Sequence, residues 1–212
     1  MSGRVITVAQ QKGGAGKTTV AIQLGVAFAV GGRRVAMLDI DPQGSLFAWF
    51  NARRRRLGDS ENGLVVQGLS GWRIASEVRR FRQEFDLILV DTPPRTESEA
   101  RAAIRAADLT LIPCQPNALD VWATAPTIEL AGGEASRALL VLNRVPPRSR
   151  AAEAAQEEIQ KSGWPLASAQ LGNRQAFAAS LGEGRGVAET AARSPAGQEI
   201  EALALEIARS LG

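Results

Sequence analysis

Near its amino terminus the chain reads Gln10-Gln11-Lys12-Gly13-Gly14-Ala15-Gly16-Lys17-Thr18-Thr19. This stretch fits the phosphate-binding loop pattern G-x-x-x-x-G-K-[ST], with Lys12 standing where the first glycine usually lies. An apolar run, Val5 to Ala9, comes before the loop, and a helical pattern begins at Thr18. Glycines let backbone N–H groups approach phosphate oxygens, and the start of a helix adds partial positive charge. The stretch therefore predicts a strand, a loop and a helix that together bind the phosphates of a nucleotide.

Residue types within the loop indicate individual roles. Lys17 has the reach to contact the β- and γ-phosphates, and Thr18 can offer its hydroxyl group to Mg²⁺. The predicted nucleotide-binding residues of the loop are Lys12, Gly13, Gly14, Ala15, Gly16, Lys17, Thr18 and Thr19.

The composition limits the chemistry that the chain can perform. With 212 residues, of which 45% are apolar, it is expected to fold as a single domain over residues 1–212. Its one cysteine, Cys114, excludes an intramolecular disulfide and an iron–sulfur cluster held by several of its own thiolates. The absence of histidine excludes imidazole acid–base catalysis. No signal-peptide pattern or membrane-length apolar run is present, so a cytoplasmic location is expected.

Apolar runs alternate with helical patterns along the chain, which favours an α/β fold with a mostly parallel sheet and helices on both faces. The runs lack the polar alternation of a half-exposed sheet, so they are predicted to be buried strands. The predicted strands are Val5–Ala9, Val35–Leu38, Leu87–Val90, Leu109–Pro113 and Leu139–Leu142. The predicted helices are Thr18–Val30, Ser45–Arg55, Gly71–Arg82, Glu97–Ala106, Ala118–Leu130, Arg150–Ser162 and Ala196–Leu211. With the phosphate-binding loop, this order indicates a P-loop NTPase architecture.

Carboxylates end two of the predicted strands. Asp39 and Asp41 lie at the end of the second strand, where side chains of an open α/β sheet face the ligand crevice. Asp91 ends the run Leu87–Val90, which is the Walker B arrangement. An acid at that point can hold Mg²⁺ through its water shell, opposite Thr18. The predicted metal-binding residues are Thr18, Asp41 and Asp91.

Asn143 and Arg144 follow the run Leu139–Leu142. A guanine-binding site would read N-K-x-D from this position, but residue 146 is Pro, so ATP is favoured over GTP. The alternative is that Asn143 serves only as a turn residue before Pro146 and Pro147.

The loop form Lys-Gly-Gly-x-Gly-Lys-Thr resembles the deviant Walker A loop of the ParA/MinD family of ATPases, and Asp39-Ile40-Asp41-Pro42-Gln43 resembles the D-x-D-P-Q segment of that family. The resemblance implies that Lys12 reaches across a dimer interface to the nucleotide of the other subunit, so that ATP binding produces a homodimer. It implies that Asp41 orients the attacking water, which makes Lys12, Lys17 and Asp41 the catalytic residues. It also places Asn143 and Arg144 at the nucleotide.

Resemblance to the small ParA-type members implies a cellular role as well. Such an ATPase binds nonspecific DNA as an ATP dimer, is associated with the nucleoid and positions a plasmid, chromosome region or protein cargo. A ParB-like protein or a cargo adaptor would stimulate its slow hydrolysis of ATP. The candidate DNA-binding residues lie in the carboxy-terminal part and are Arg144, Arg148, Arg150, Arg174 and Arg185.

The run Arg53-Arg54-Arg55-Arg56 is a denser cluster of positive charge that could also contact DNA. A solvated helix end is the simpler interpretation of this run. Two other functions stay open. One is a MinD-like ATPase that cycles on and off a membrane, against which the acidic polar face of the last helix argues. The other is a metabolic carboxylase or amide ligase on the same scaffold, which would phosphorylate a small molecule instead of water.

Overall fold

The computed structural model describes residues 2–58, 63–94, 97–132 and 137–212. Within these residues the strands are β1 (Arg4–Val8), β2 (Val35–Asp39), β3 (Leu64–Gly68), β4 (Leu87–Asp91), β5 (Leu109–Cys114) and β6 (Arg137–Leu142). The helices are α1 (Lys17–Val30), α2 (Ser45–Leu57), α3 (Ile74–Glu84), α4 (Glu97–Ala106), α5 (Ala118–Trp122), α6 (Ala125–Gly132), α7 (Arg150–Lys161), α8 (Gln175–Gly182), α9 (Val187–Thr190) and α10 (Pro195–Leu211).

The described strands form one sheet in the order β3-β2-β4-β1-β5-β6, and every pair is parallel. Parallel neighbours require crossover connections, so all the strands end at the same edge of the sheet. The β4 residue Asp91 is in register with Val8 of β1 on one side and with Asp39 of β2 on the other. The phosphate-binding loop and both acidic segments therefore meet at that edge.

Helices cover both faces, as predicted, because alternate residues of each strand enter different cores. On one face, Ile6 and Met37 pack in a cluster with residues of α1 and α10. On the other, Val5 and Leu38 pack with residues of α3 and α4. Both faces of a parallel sheet must be buried, which explains why the strands read as continuous apolar runs.

Three features of the fold differ from the sequence-based prediction. β3 is an additional strand; it lies at the edge of the sheet and has half-buried residues, so its apolar run is short. The predicted helix Ala118–Leu130 is two helices, because Thr124 Oγ1 bonds to the Asp120 carbonyl oxygen at 2.9 Å and Pro126 has no N–H with which to continue α5. Helices α8 and α9 were not predicted.

One further prediction concerns the last helix. Ile200, Leu203 and Ile207 of α10 are fully buried in the core that contains the strand residues Ile6 and Leu109, which confirms that α10 packs on the sheet. Among the described residues, no helix has both the length and the apolar character that a membrane span requires.

The arginine run at the end of α2 is divided between core and surface. Arg55 and Arg56 are exposed, but Arg53 is 5% exposed. Its guanidinium group donates hydrogen bonds to both carboxylate oxygens of Glu189, at 2.9 and 2.6 Å, and to the carbonyl oxygen of Gly184 at 3.1 Å. Arg53 therefore joins α2 to α9 and to the segment before it, and Arg55 and Arg56 form the solvated end of the run.

We expect Arg53→Ala to lower the free energy of unfolding by roughly 3–5 kcal/mol, because it leaves the partly buried Glu189 carboxylate without its cation. Arg56→Ala, the matched control in the same run, should change it by less than about 0.5 kcal/mol. Urea denaturation followed by circular dichroism measures both values. Equal values for the two variants would contradict a structural role for Arg53.

Candidate nucleotide-binding site

The loop between β1 and α1 has the backbone conformation that a phosphate-binding loop requires. Gly14 and Gly16 have φ angles of 80° and 92°, values that residues with a Cβ atom rarely adopt. A Cβ atom on Gly16 would also lie 2.4 Å from Nδ2 of Asn143. At Gly13 and Gly14, by contrast, a Cβ atom would meet nothing within 4 Å, so the space above the loop is open.

Lys17 and Thr18 begin α1 beneath the loop. Thr18 Oγ1 donates a hydrogen bond to Asp91 Oδ2 at 2.6 Å, so two of the predicted metal-binding groups are adjacent. Lys17 is 7% exposed, and burial lowers its pKa, an effect opposed by the carboxylates of Asp91 and Asp41. The structure therefore brings together Lys17, Thr18, Asp41 and Asp91, as the sequence predicted.

Asp91 is fully buried, and only one of its two carboxylate oxygens has a hydrogen-bond partner among the described residues. Burial raises its pKa to about 7, although the hydrogen bond from Thr18 and the charge of Lys17 act in the opposite direction. An orphaned buried carboxylate oxygen costs free energy. Its position beside the open loop fits a hydrated Mg²⁺ ion bound together with a nucleotide.

Asp39 and Asp41 have different surroundings. Asp39 is buried, and it accepts hydrogen bonds from the backbone N–H groups of Asp41 at 3.1 Å and Phe47 at 2.9 Å. Burial raises its pKa, and these hydrogen bonds oppose that rise. Asp41 is half-buried, and the one hydrogen bond that its carboxylate accepts from the described residues comes from the N–H of Gln43 at 2.9 Å. Asp39 thus braces the segment after β2, whereas Asp41 keeps an accessible carboxylate.

Lys12 is held by its own chain. Its Nζ atom lies 2.7 Å from Oδ2 of Asp120 in α5, and its side chain is 36% exposed. Asp120 also accepts a hydrogen bond from the side chain of Asn117, which caps the same helix. Sequence analysis missed Asp120, because an Asn and an Asp three residues apart indicate only a capped helix start.

The residues before the loop are tied to the same part of the chain. Gln10 is 3% exposed, and its Nε2 atom donates to Oγ1 of Thr124 at 3.1 Å. Its Oε1 atom accepts from Oγ1 of Thr127 at 3.2 Å and from the N–H of Lys12 at 3.3 Å. The positions of α5 and α6 therefore determine where Lys12 lies, a role that the sequence did not indicate for Gln10.

Asn143 and Arg144 also contact the loop. Asn143 is 5% exposed, and its Nδ2 atom donates to the carbonyl oxygen of Ala15 at 2.8 Å. The carbonyl oxygen of Gly14 accepts from Arg144 Nη1 at 3.2 Å and from Gln115 Nε2 at 3.0 Å. These contacts brace the loop, so Asn143 is more than a turn residue. Its predicted contact with the nucleotide stays a prediction.

The five candidate DNA-binding arginines do not lie together. The segments that carry Arg144 and Arg174 are neighbours, since Val145 pairs with Gly172, and Arg148 and Arg150 are exposed shortly after Arg144. Arg174, however, is paired with Glu199 at 2.8 Å. The backbone of Arg185 accepts a bond from Trp49 in α2, and its side chain is half-buried. The placement therefore favours Arg144, Arg148 and Arg150 over the other two.

Comparison with known proteins finds a family of nucleotide-binding domains. The family profile of the CobQ/CobB/MinD/ParA nucleotide binding domain matches residues 6–187. Maintenance of carboxysome distribution protein A of Halothiobacillus neapolitanus is 30% identical over 211 residues, which cover 95% of each chain.

Solved structures show the same fold. MinD of Pyrococcus horikoshii complexed with Mg-ADP has a TM-score of 0.82 at 22% identity, covering 99% of this chain and 97% of that one. An ATP complex of a McdA variant from Cyanothece has a TM-score of 0.78 at 18% identity, covering 100% and 97%. Both likenesses confirm the predicted P-loop NTPase architecture.

The raised pKa of Asp91 has a measurable consequence for the protein without nucleotide. Between the ordinary carboxyl pKa and about 7, the folded chain binds more protons at Asp91 than the unfolded chain does, so this carboxyl makes stability fall as pH rises through that range. We expect Asp91→Asn to raise the melting temperature at pH 8 more than at pH 5. Differential scanning calorimetry in the absence of nucleotide and metal measures this difference.

Asp86→Asn is a control that should shift the melting temperature in the opposite direction. The Arg34 side chain holds the pKa of Asp86 at about 2, below its ordinary value, so its charged form stabilises the fold at neutral pH and this contribution is lost as pH falls through that value. Asp86→Asn should therefore lower the melting temperature at pH 8. If both variants shift the melting temperature in the same direction, the assigned environment of Asp91 is wrong.

Proposed function

The chain belongs to the CobQ/CobB/MinD/ParA family of nucleotide-binding domains, and on that premise we propose that it uses ATP hydrolysis to position a cargo within the cell. The observation that carries this proposal is the position of Lys12, at the accessible edge of the phosphate-binding loop and away from the buried Lys17. A lysine there can reach a nucleotide bound to a second copy once it leaves Asp120. The near full-length likeness to a protein named for carboxysome distribution supports the same role.

Phosphoryl transfer to water requires stabilisation of charge and placement of the nucleophile. Lys17 and the backbone N–H groups of Gly13 to Thr19 bind the phosphates, and Thr18 and Asp91 hold Mg²⁺. Bound Mg²⁺ supplies positive charge that offsets the charge developing on the transferred group. Asp41, whose carboxylate is the accessible one of its pair, orients the attacking water.

Lys12 completes the site in trans. It exchanges Asp120 of its own chain for the phosphates bound to the partner, so that hydrolysis depends on closure of an ATP-bound homodimer. One domain, residues 1–212, carries all the residues that this cycle of ATP binding, closure and hydrolysis uses. A basic segment of an activating protein, ParB-like or a cargo adaptor, accelerates hydrolysis.

The ATP dimer binds nonspecific DNA through Arg144, Arg148 and Arg150, which associates it with the nucleoid in the cytoplasm. These side chains follow β6 on the loop side of the sheet and are exposed. Contacts of this type neutralise phosphates without reading bases.

Two alternatives have weaker support. A membrane-cycling role through α10 would need a free apolar face, but Ile200, Leu203 and Ile207 of that helix are fully buried. The family also includes CobQ and CobB, so a metabolic ligase is the second candidate. If the protein releases phosphate from ATP when no small-molecule acceptor is present, the reaction is hydrolysis and not ligation.

We expect Lys12→Gln to lower the rate of ATP hydrolysis about 10³-fold or more, by analogy with other cations supplied in trans, while ATP binding is retained. Phosphate release and equilibrium binding of a fluorescent ATP analogue measure the two effects. Lys161→Gln is the matched control, because Lys161 is an exposed lysine at the end of α7. Full hydrolysis by Lys12→Gln would contradict the role of Lys12.

DNA retention tests the cellular role. Wild type and Asp41→Ala should both bind DNA of arbitrary sequence with ATP, with Asp41→Ala remaining bound for longer because hydrolysis is slowed, and neither should bind with ADP. Arg148→Ala/Arg150→Ala should weaken binding. The slope of the logarithm of the binding constant against the logarithm of the salt concentration should become shallower by about two, because two phosphate contacts are lost. Arg55→Ala/Arg56→Ala is the control. Equal retention with ATP and ADP would contradict the proposed coupling.

A further inference from the structure

The short helix α5 exposes two large apolar side chains. Leu119 is 67% exposed and Trp122 is 61% exposed. They are three residues apart and therefore lie on one side of the helix. Of the large apolar side chains that are exposed among the described residues, these two are the pair that shares a helix. An exposed tryptophan beside a leucine is typical of a protein interface.

Helix α5 lies directly beside Lys12. Asp120, between the two apolar residues in sequence, holds the Lys12 amino group at 2.7 Å. Thr124, just after the helix, accepts the hydrogen bond from Gln10, two residues before Lys12. The exposed pair is thus fixed to the edge of the loop from which Lys12 must leave.

We propose that Leu119 and Trp122 form the apolar part of the surface through which two copies of this chain close on ATP. This inference rests on the proposed function, in which Lys12 reaches the nucleotide of a second copy. Any partner that receives Lys12 must approach the edge of the loop where Lys12 lies, and α5, which holds Lys12 through Asp120, lies at the same edge. In a two-fold symmetric dimer the same pair is contributed by both copies, which makes the surface self-complementary.

The ion pair between Lys12 and Asp120 makes closure of this surface depend on ATP. When Lys12 leaves, the Asp120 carboxylate, 8% exposed, loses this cation and keeps the neutral donor Asn117 among the residues that the structure describes. Loss of one partner of a nearly buried pair opposes closure. Burial of Leu119 and Trp122 from both copies favours closure, and the phosphates of the partner replace Asp120 as the anion that Lys12 contacts. Closure therefore requires both the apolar surface and bound ATP.

The test uses the full chain with Asp41→Ala as the parent, so that ATP is not consumed. Sedimentation velocity with ATP and Mg²⁺ measures dimerisation of the parent and of the same chain carrying Leu119→Ser/Trp122→Ser. We expect this double substitution to weaken dimerisation at least about tenfold while binding of a fluorescent ATP analogue changes less than about twofold. Trp72→Ser is the matched control, because Trp72 is 83% exposed and lies outside α5.

A conservative variant tests burial directly. Trp122→Phe should retain dimerisation, and the fluorescence difference between it and the parent reports Trp122 alone. That difference signal should become protected from acrylamide quenching when ATP is added.

The outcomes distinguish the two proposals. A parent that stays monomeric with ATP overturns both the proposed dimer and this surface. A dimer that forms equally well after Leu119→Ser/Trp122→Ser, or in which Trp122 remains open to acrylamide, overturns this surface alone. Normal dimerisation with loss of stimulation by an activating protein would assign α5 to that protein and also overturn the inference.

Discussion

The structure depends on a carboxylate buried at the centre of the sheet without a full set of partners. Asp91 ends β4, with β1 and β2 on its two sides, and among the described residues its carboxylate accepts a hydrogen bond only from Thr18. A folded protein tolerates such a group where a ligand completes it, since an unsatisfied buried oxygen is otherwise destabilising. The residues around Asp91 follow from this constraint: Lys17 supplies opposite charge, and the glycines leave the approach from the loop open.

The two lysines of the loop have different environments, and this difference connects chemistry with assembly. Lys17 is buried among the carboxylates of its own chain. Lys12 lies at the edge and is held by one carboxylate of α5, next to exposed apolar side chains. Lys12 is the more exposed partner of this ion pair, so a second anion can reach it and replace Asp120. Under the proposed function, such a site is inactive in a single copy and becomes complete when a second copy supplies a competing anion.

Much of the fold could be predicted because buried parallel strands and a phosphate-binding loop have strong local patterns. β3 was missed since an edge strand is buried less and has a shorter apolar run. The division between α5 and α6 was missed because Thr124 bonds to the Asp120 carbonyl oxygen and to Gln10, a contact that crosses 114 positions of the chain. Arg53 looked like its exposed neighbours until Glu189 was placed beside it, although Glu189 is 136 residues away.

The sequence by itself determined the nucleotide site, because the loop, Lys17, Thr18 and the acid after β4 belong to segments whose local order places them at one edge of a parallel sheet. It also determined that Lys12 differs from an ordinary loop residue. Only the tertiary structure decided where Lys12 is held, which arginines lie near one another and which apolar side chains remain exposed. Each of these depends on contacts between distant segments, such as the 108 residues that separate Lys12 from Asp120, and no local pattern encodes such contacts.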